Sequence, residues 1–216
     1  PNLPTVAITA IAKRSGIVLG QAPALAADVI YPKEAELCRQ VRAARLRGDR
    51  VLLYVEHTRG HDLIPRLTRI LEEDDHCWRH EASSTSPGPP VRVVTLRGET
   101  VSATKREAWL NQQVAAGCDV LICHSGLVEV GLDLLAFPTI LCYEVIFSTS
   151  RLRQATRRSW RIGQTKPVRV IYLAYERTME ARGLHLIATK MMSSLLIEGK
   201  LPGDGLASHA ETTGST

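Results

Sequence analysis

The sequence holds five cysteines (38, 77, 118, 123 and 142) but no C-x-x-C pair, and none stands with histidine at zinc-site spacing. That argues against a disulfide scaffold and against a metal site. The five read instead as small buried thiols of a reducing compartment, with Cys123 and Cys142 inside apolar runs. No apolar run approaches the roughly 20 residues that a bilayer-spanning helix needs, so no membrane partner is expected. The N-terminus also lacks the basic, apolar, small-residue order of a secretory signal. No G-x-G-x-x-G follows the first apolar run, which removes the fingerprint of a dinucleotide-binding enzyme. Lysine is scarce, with six against twenty-one arginines.

What is present has the composition of a globular protein with a real core, at 44% hydrophobic and 23% charged residues over 216 positions. The chain opens on Pro1 rather than Met, and is expected to be a piece of a longer polypeptide. Its net charge of +5 points to a polyanionic partner. Guanidinium forks suit bidentate phosphate contacts better than ammonium groups do, so where the arginines sit matters more than their number.

Three regions are expected: a linker or remnant over 1–33, a folded domain over 34–200 and a disordered tail over 201–216. Within the domain, Leu37, Val41 and Ala44 recur at helical spacing, and Gly48 ends that helix. RVLLYV (50–55) reads as a buried strand. Leu63, Leu67, Ile70 and Leu71 form a helical stripe over 62–73, and SSTSPGPP (83–90) is a surface loop. VRVVTL (91–96) is a second strand; Thr104 and Glu107 make an S/T-x-x-E capping box for a helix that ends near Gly117. DVLICH (119–124), PTILCYEV (138–145) and PVRVIYL (167–173) complete five strands, and a long helix covers 177–199. Strands that are apolar throughout and alternate with helices imply an α/β fold, a mostly parallel sheet covered by helices on both faces. Function then belongs in the loops at the carboxyl ends of the strands, and those loops are the polar, arginine-bearing stretches of this chain.

One of them is QATRRSWRIGQ (154–164). On a helix Gln154, Arg158 and Arg161 are four and then three residues apart and share a face, with Ser148 or Ser150 as cap and Gly163 as breaker. Two guanidiniums converging on one point suit a compact anion such as a triphosphate end.

QATRRSWRIGQTKPV resembles motif VI of superfamily-two helicases, in the QAxxRxxRIGQ form of Swi/Snf-type translocases. VRVIYLAYERTMEARGLHLIATK is similar to that family's next strand, Thr-x-Glu turn (Thr178, Glu180) and closing helix. DVLICHSGLVEVGLDL is similar to motif V, RVLLYVEHTR to motif IV, and LRGETVSATKRE, with Gly98 and Arg106, to the segment between. The order holds from about residue 34 to 198.

The resemblance implies the second of two RecA-like lobes, a P-loop NTPase-type three-layer domain, with ATP, Mg²⁺ and double-stranded DNA bound between it and an N-terminal lobe. It implies Arg158 and Arg161 as arginine fingers on the γ-phosphate, an effect on the order of 10³–10⁵ in rate, with Gln154 positioning the helix or the phosphates. Gly131 and Asp133 fall beside the nucleotide, and Thr58, Arg106 and Ser125 on the nucleic-acid backbone. The chain departs from the pattern at Ser125 (Thr in motif V), Ala103 (Gln in DEAD-box relatives), Asp133 (Asn in many Swi/Snf-type proteins) and Trp160 (often His). Trp160 is expected to pack against the sheet, with base stacking as the alternative.

No G-x-x-x-x-G-K-[ST] is present, since the one Gly-Lys, Gly199-Lys200, is followed by Leu201. EDDH (73–76) follows an amphipathic helix rather than a buried strand and reads as a helix end, not as a Mg²⁺-binding box. ATP and Mg²⁺ would thus be held mainly by another lobe, and the chain alone would not hydrolyse ATP. The alternative is a non-catalytic module for binding nucleic acid or protein. His57 and His124 end strands without a Cys or Asp partner in sequence, and read as polar loop residues. The location expected is the cytoplasm, nucleoid-associated in a bacterium, or the nucleus in a eukaryote.

Overall fold

Leu37, Val41 and Ala44, spaced for one helix face, are all buried, as are Leu63, Leu67, Ile70 and Leu71. These two stripes cover one side of a sheet whose central strands have no exposed residue. The computed structural model describes residues 8–11, 18–22, 26, 28–58, 62–73, 90–128 and 131–197. In chain order the elements are β1 (Ile8–Ile11), β2 (Val18–Ala22), α1 (Pro32–Leu46), β3 (Val51–Tyr54), α2 (Ile64–Glu73), β4 (Val93–Leu96), α3 (Arg106–Ala115), β5 (Val120–Cys123), β6 (Thr139–Cys142), α4 (Thr149–Arg157), β7 (Arg169–Tyr172) and α5 (Met179–Ile197).

The five later strands form one parallel sheet in the order β4-β5-β3-β6-β7. Strand alternation divides β3 between two cores. Val51, Leu53 and Val55 pack with α1 and α2, while Leu52 and Tyr54 pack with Leu110 of α3, Leu152 and Ala155 of α4 and Ile187 of α5. The α/β, RecA-like three-layer expectation is met, with four residues in each strand of this sheet. The order reverses at β3, and a crevice opens at the carboxyl ends of β3, β4 and β5. Gly48 ends α1 at φ 70°, a conformation a side chain would resist.

Within 1–33, where a linker or the remnant of a preceding region was expected, β1 and β2 form an antiparallel ladder, Ile8 opposite Ala22; Pro4 and Pro23 flank this ladder in sequence rather than interrupting it. Two local expectations are corrected. Thr104 caps no helix. It lies in a 3-10 turn with its hydroxyl facing Ser102, and α3 starts directly after that turn, at Arg106. Cys38 is disulfide-bonded, whereas Cys118, Cys123 and Cys142 are free buried thiols whose pKa values burial raises, Cys118 to about 11. The loop at 83–89, the EDDH residues after Glu73 and the tail over 201–216 lie outside the described residues.

The closing helix is tied to the opening one. Lys33, 5% exposed, pairs with Glu180 at 2.6 Å and lies 4.6 Å from the centre of the Tyr143 ring. Burial lowers its pKa against the raising effect of Glu180. The other Glu180 oxygen accepts from the Tyr175 N–H at 3.2 Å, so the Thr178–Glu180 turn joins both ends of the domain.

Candidate functional site

Ser148 caps α4, its hydroxyl accepting from the Arg151 N–H at 3.3 Å, as the sequence predicts. Leu152 and Ala155 face the sheet, and the buried Tyr54 hydroxyl donates to the Ala155 carbonyl at 3.1 Å. That leaves the following turn at the surface. The helix ends at Arg157, not at Gly163. Thr156 turns its hydroxyl back to the Leu152 and Arg153 carbonyls, and the Leu134 N–H takes the Arg158 carbonyl at 3.2 Å. These three bonds stand where the chain leaves helical geometry. The segment after it is held by Gln164, whose amide nitrogen donates to the Ser159 and Leu135 carbonyls at 2.9 and 3.0 Å. Its amide oxygen accepts from the Lys166 N–H at 2.9 Å, and Gly163 turns the chain at φ 100°.

Gln154, Arg158 and Arg161 nevertheless converge. With Arg157 and Trp160 they line one open cleft of about 420 Å³. The cleft presents guanidiniums, an amide and an indole, and no carboxylate, which fits the phosphates of a nucleotide but not its Mg²⁺. Trp160 does not pack on the sheet: it is 69% exposed, because the helix has already ended before it. Gly131 and Asp133 belong to a loop stitched to this segment through Leu134 and Leu135. The Asp133 carboxylate accepts locally from the Leu135 N–H at 3.3 Å.

A second cleft, about 520 Å³, opens at the carboxyl ends of β3, β4 and β5, with Thr58, His57, Arg97 and His124 on its walls. The two other residues expected beside nucleic acid are placed differently. Arg106 is half-buried and donates to the Val101 and Leu127 carbonyls at 3.3 and 3.0 Å. Ser125 lies two residues past β5, but its hydroxyl is buried without a hydrogen-bond partner. Among the described residues, no group of three or more His, Cys, Asp or Glu could hold a metal ion, and no helix is long and apolar enough to cross a membrane.

Sequence reasoning missed the carboxylates that build this end of the sheet. Glu144, 2% exposed, follows β6 and accepts from the backbone N–H groups of Glu56 and His57 at 2.7 and 2.8 Å; its other oxygen meets His57 Nδ1 at 2.7 Å. Glu56 in turn pairs with His124 and Arg151. The histidines thus do have partners, from other strands. The available signal was an acidic residue directly after a buried apolar run.

No family model matches the chain. It is 29% identical over 162 residues to the "Helicase domino" of Drosophila melanogaster, covering 74% of this chain and 4% of that protein. It is 31% identical over 93 residues, 43% of this chain and 12% of the relative, to the fly "SWI/SNF-related matrix-associated actin-dependent regulator of chromatin subfamily A-like protein 1". The fold is similar to that of the C-terminal part of the Fun30 ATPase domain, with a TM-score of 0.58 at 18% identity, over 72% of this chain and 44% of that one. The chain therefore spans a small part of the curated relatives it matches. Both of these relatives are eukaryotic, so the expectation of a bacterial nucleoid protein gains nothing from them. The chain thus resembles part of Swi/Snf-type proteins in sequence and the C-terminal part of an ATPase domain in fold.

Proposed function

From that resemblance we infer that the chain is the C-terminal RecA-like lobe of an ATP-dependent, Swi/Snf-type DNA translocase acting in the nucleus. The observation that carries this reading is the convergence of Gln154, Arg158 and Arg161 on one carboxylate-free cleft.

ATP supplies the phosphoryl group whose transfer drives the cycle, and an N-terminal lobe holds most of it together with Mg²⁺. Arg158 and Arg161 would contact the phosphates from this lobe and stabilise charge that develops on them, an effect on the order of 10³–10⁵ in rate for such fingers. The fixed loop around them means that little reorganisation is needed at the moment of reaction. Gln154 shares the cleft and positions the same anion. Gly131 and Asp133 stand on the loop joined to this segment, where Asp133 would accept from ribose hydroxyls. Thr58 and the second cleft would hold the backbone of duplex DNA, with Arg106 and Ser125 shaping its wall; such contacts do not read base sequence.

The test is ATP turnover by the full-length protein with and without duplex DNA. Arg158→Ala and Arg161→Ala should each lower DNA-stimulated turnover by about 10³-fold while DNA binding persists. Retained turnover in both variants would favour a non-catalytic binding module. The 216-residue chain alone should not turn over ATP, and measurable turnover by it would overturn the two-lobe reading.

A further inference from the structure

Glu56 stands at the end of β3 on the wall of the 520 Å³ cleft, with its side chain 14% exposed. Three groups from two other elements face its carboxylate. The Ser125 N–H donates to Oε1 at 3.4 Å, while His124 Nε2 and Arg151 Nη1 lie 3.8 and 3.6 Å from Oε2. A backbone N–H, an imidazole and a guanidinium around two oxygens make a set that suits a phosphate as well as a carboxylate.

The distances separate this carboxylate from its neighbour. Glu144 is buried and holds its three partners at 2.7–2.8 Å, the range of fixed charge-assisted bonds. All three contacts of Glu56 are longer, and the ion pair with Arg151 lies at the edge of a solvated cleft, where pairing is weak and exchangeable. Arg151 is in the first turn of α4, and the last turn of that helix carries Gln154 into the arginine cleft. Glu56 therefore connects one cleft to the other.

We propose that Glu56 is an internal anion that occupies a phosphate position in the nucleic-acid cleft and holds Arg151, so that a DNA phosphate displaces it and releases α4. The inference rests on the nucleic-acid reading of this cleft given above. It makes Glu56 a positioning residue, and its removal gives the opposite sign from loss of a binding contact. A structural carboxylate would weaken DNA binding when removed, whereas a competing one strengthens it.

The experiment uses the full-length protein, a short labelled DNA duplex without nucleotide, and turnover with and without that duplex. Glu56→Gln keeps the shape and removes the charge. It should tighten duplex binding about tenfold, the scale of one unit charge next to a phosphate in a partly solvated site. DNA-free turnover should rise toward the stimulated rate. Glu56→Asp keeps the charge and should stay within about twofold of wild type, which separates charge from folding. Arg151→Ala should reduce the stimulation ratio, and adding Glu56→Gln to it should change that ratio no further, as expected of coupled partners. Equal or weaker duplex binding by Glu56→Gln, with the stimulation ratio intact, overturns the proposal. A wild-type protein that fails to bind duplex, or Arg158→Ala with normal turnover, overturns the functional reading itself, and the first of these also removes this proposal.

Discussion

The side-chain amide of Gln164 donates to the backbone carbonyl of Leu135 at 3.0 Å, across 29 residues of chain. This bond joins the segment that carries Arg158 and Arg161 to the loop that carries Asp133, although neither segment is helical there. Together with the bond from the Leu134 N–H to the Arg158 carbonyl, it fixes the two segments against each other.

Gln164→Ala should therefore cost catalysis more than stability. Loss of its hydrogen bonds is worth about 1–3 kcal/mol in the unfolding free energy. A displacement of the guanidiniums on the order of 1 Å should lower turnover of the full-length protein by about 10²-fold. Urea unfolding and steady-state turnover measure the two; equal turnover with lowered stability would show that Gln164 supports the fold alone.

Glu144→Ala leaves the N–H groups of Glu56 and His57 without their acceptor and the His57 ring without this partner, and should cost on the order of 2–4 kcal/mol. Glu144→Gln keeps an amide oxygen where Oε2 accepts both N–H groups, so it should cost less than half as much. Similar losses in the two variants would mean that the carboxylate charge, not the acceptor, is what matters.

Asp49 is buried at the foot of the sheet between Lys166, Arg47 and Thr139. Burial raises its pKa, but the hydrogen bonds from Lys166 and Arg47 outweigh this and hold it below the ordinary 3.8. With the folded pKa below the unfolded one, its stabilising contribution is complete above the unfolded value and is lost as pH falls through the folded one. Asp49→Asn should flatten the decline of the urea midpoint below about pH 4. An unchanged acid slope would assign that decline to other carboxylates.

Trp160 stands in solvent at 69% exposure, so Trp160→His should change stability by less than about 0.5 kcal/mol. A larger loss would return the indole to the core, where its position in sequence first placed it.

Most of the sheet was legible in advance because burial on both faces demands uninterrupted apolar runs, and 51–54, 120–123 and 139–142 supply them. The β1–β2 ladder was not, since its strands are short and lie between prolines that read as a linker. The end of α4 was misplaced because Gly163 is a strong local signal, whereas the pull of Leu134 on the Arg158 carbonyl is a contact between distant segments.

By itself, the sequence determined which residues must be buried, the helical and strand periods, and the presence of two arginines three positions apart. Those follow from local periodicity and side-chain chemistry. Tertiary structure alone decided that Gln154, Arg158 and Arg161 meet from a helix end and a loop rather than from one helix face. It also placed Glu56 and Glu144 against two histidines and Arg151. Such meetings depend on strand order and on where buried N–H groups need acceptors, and neither is written in residues adjacent along the chain.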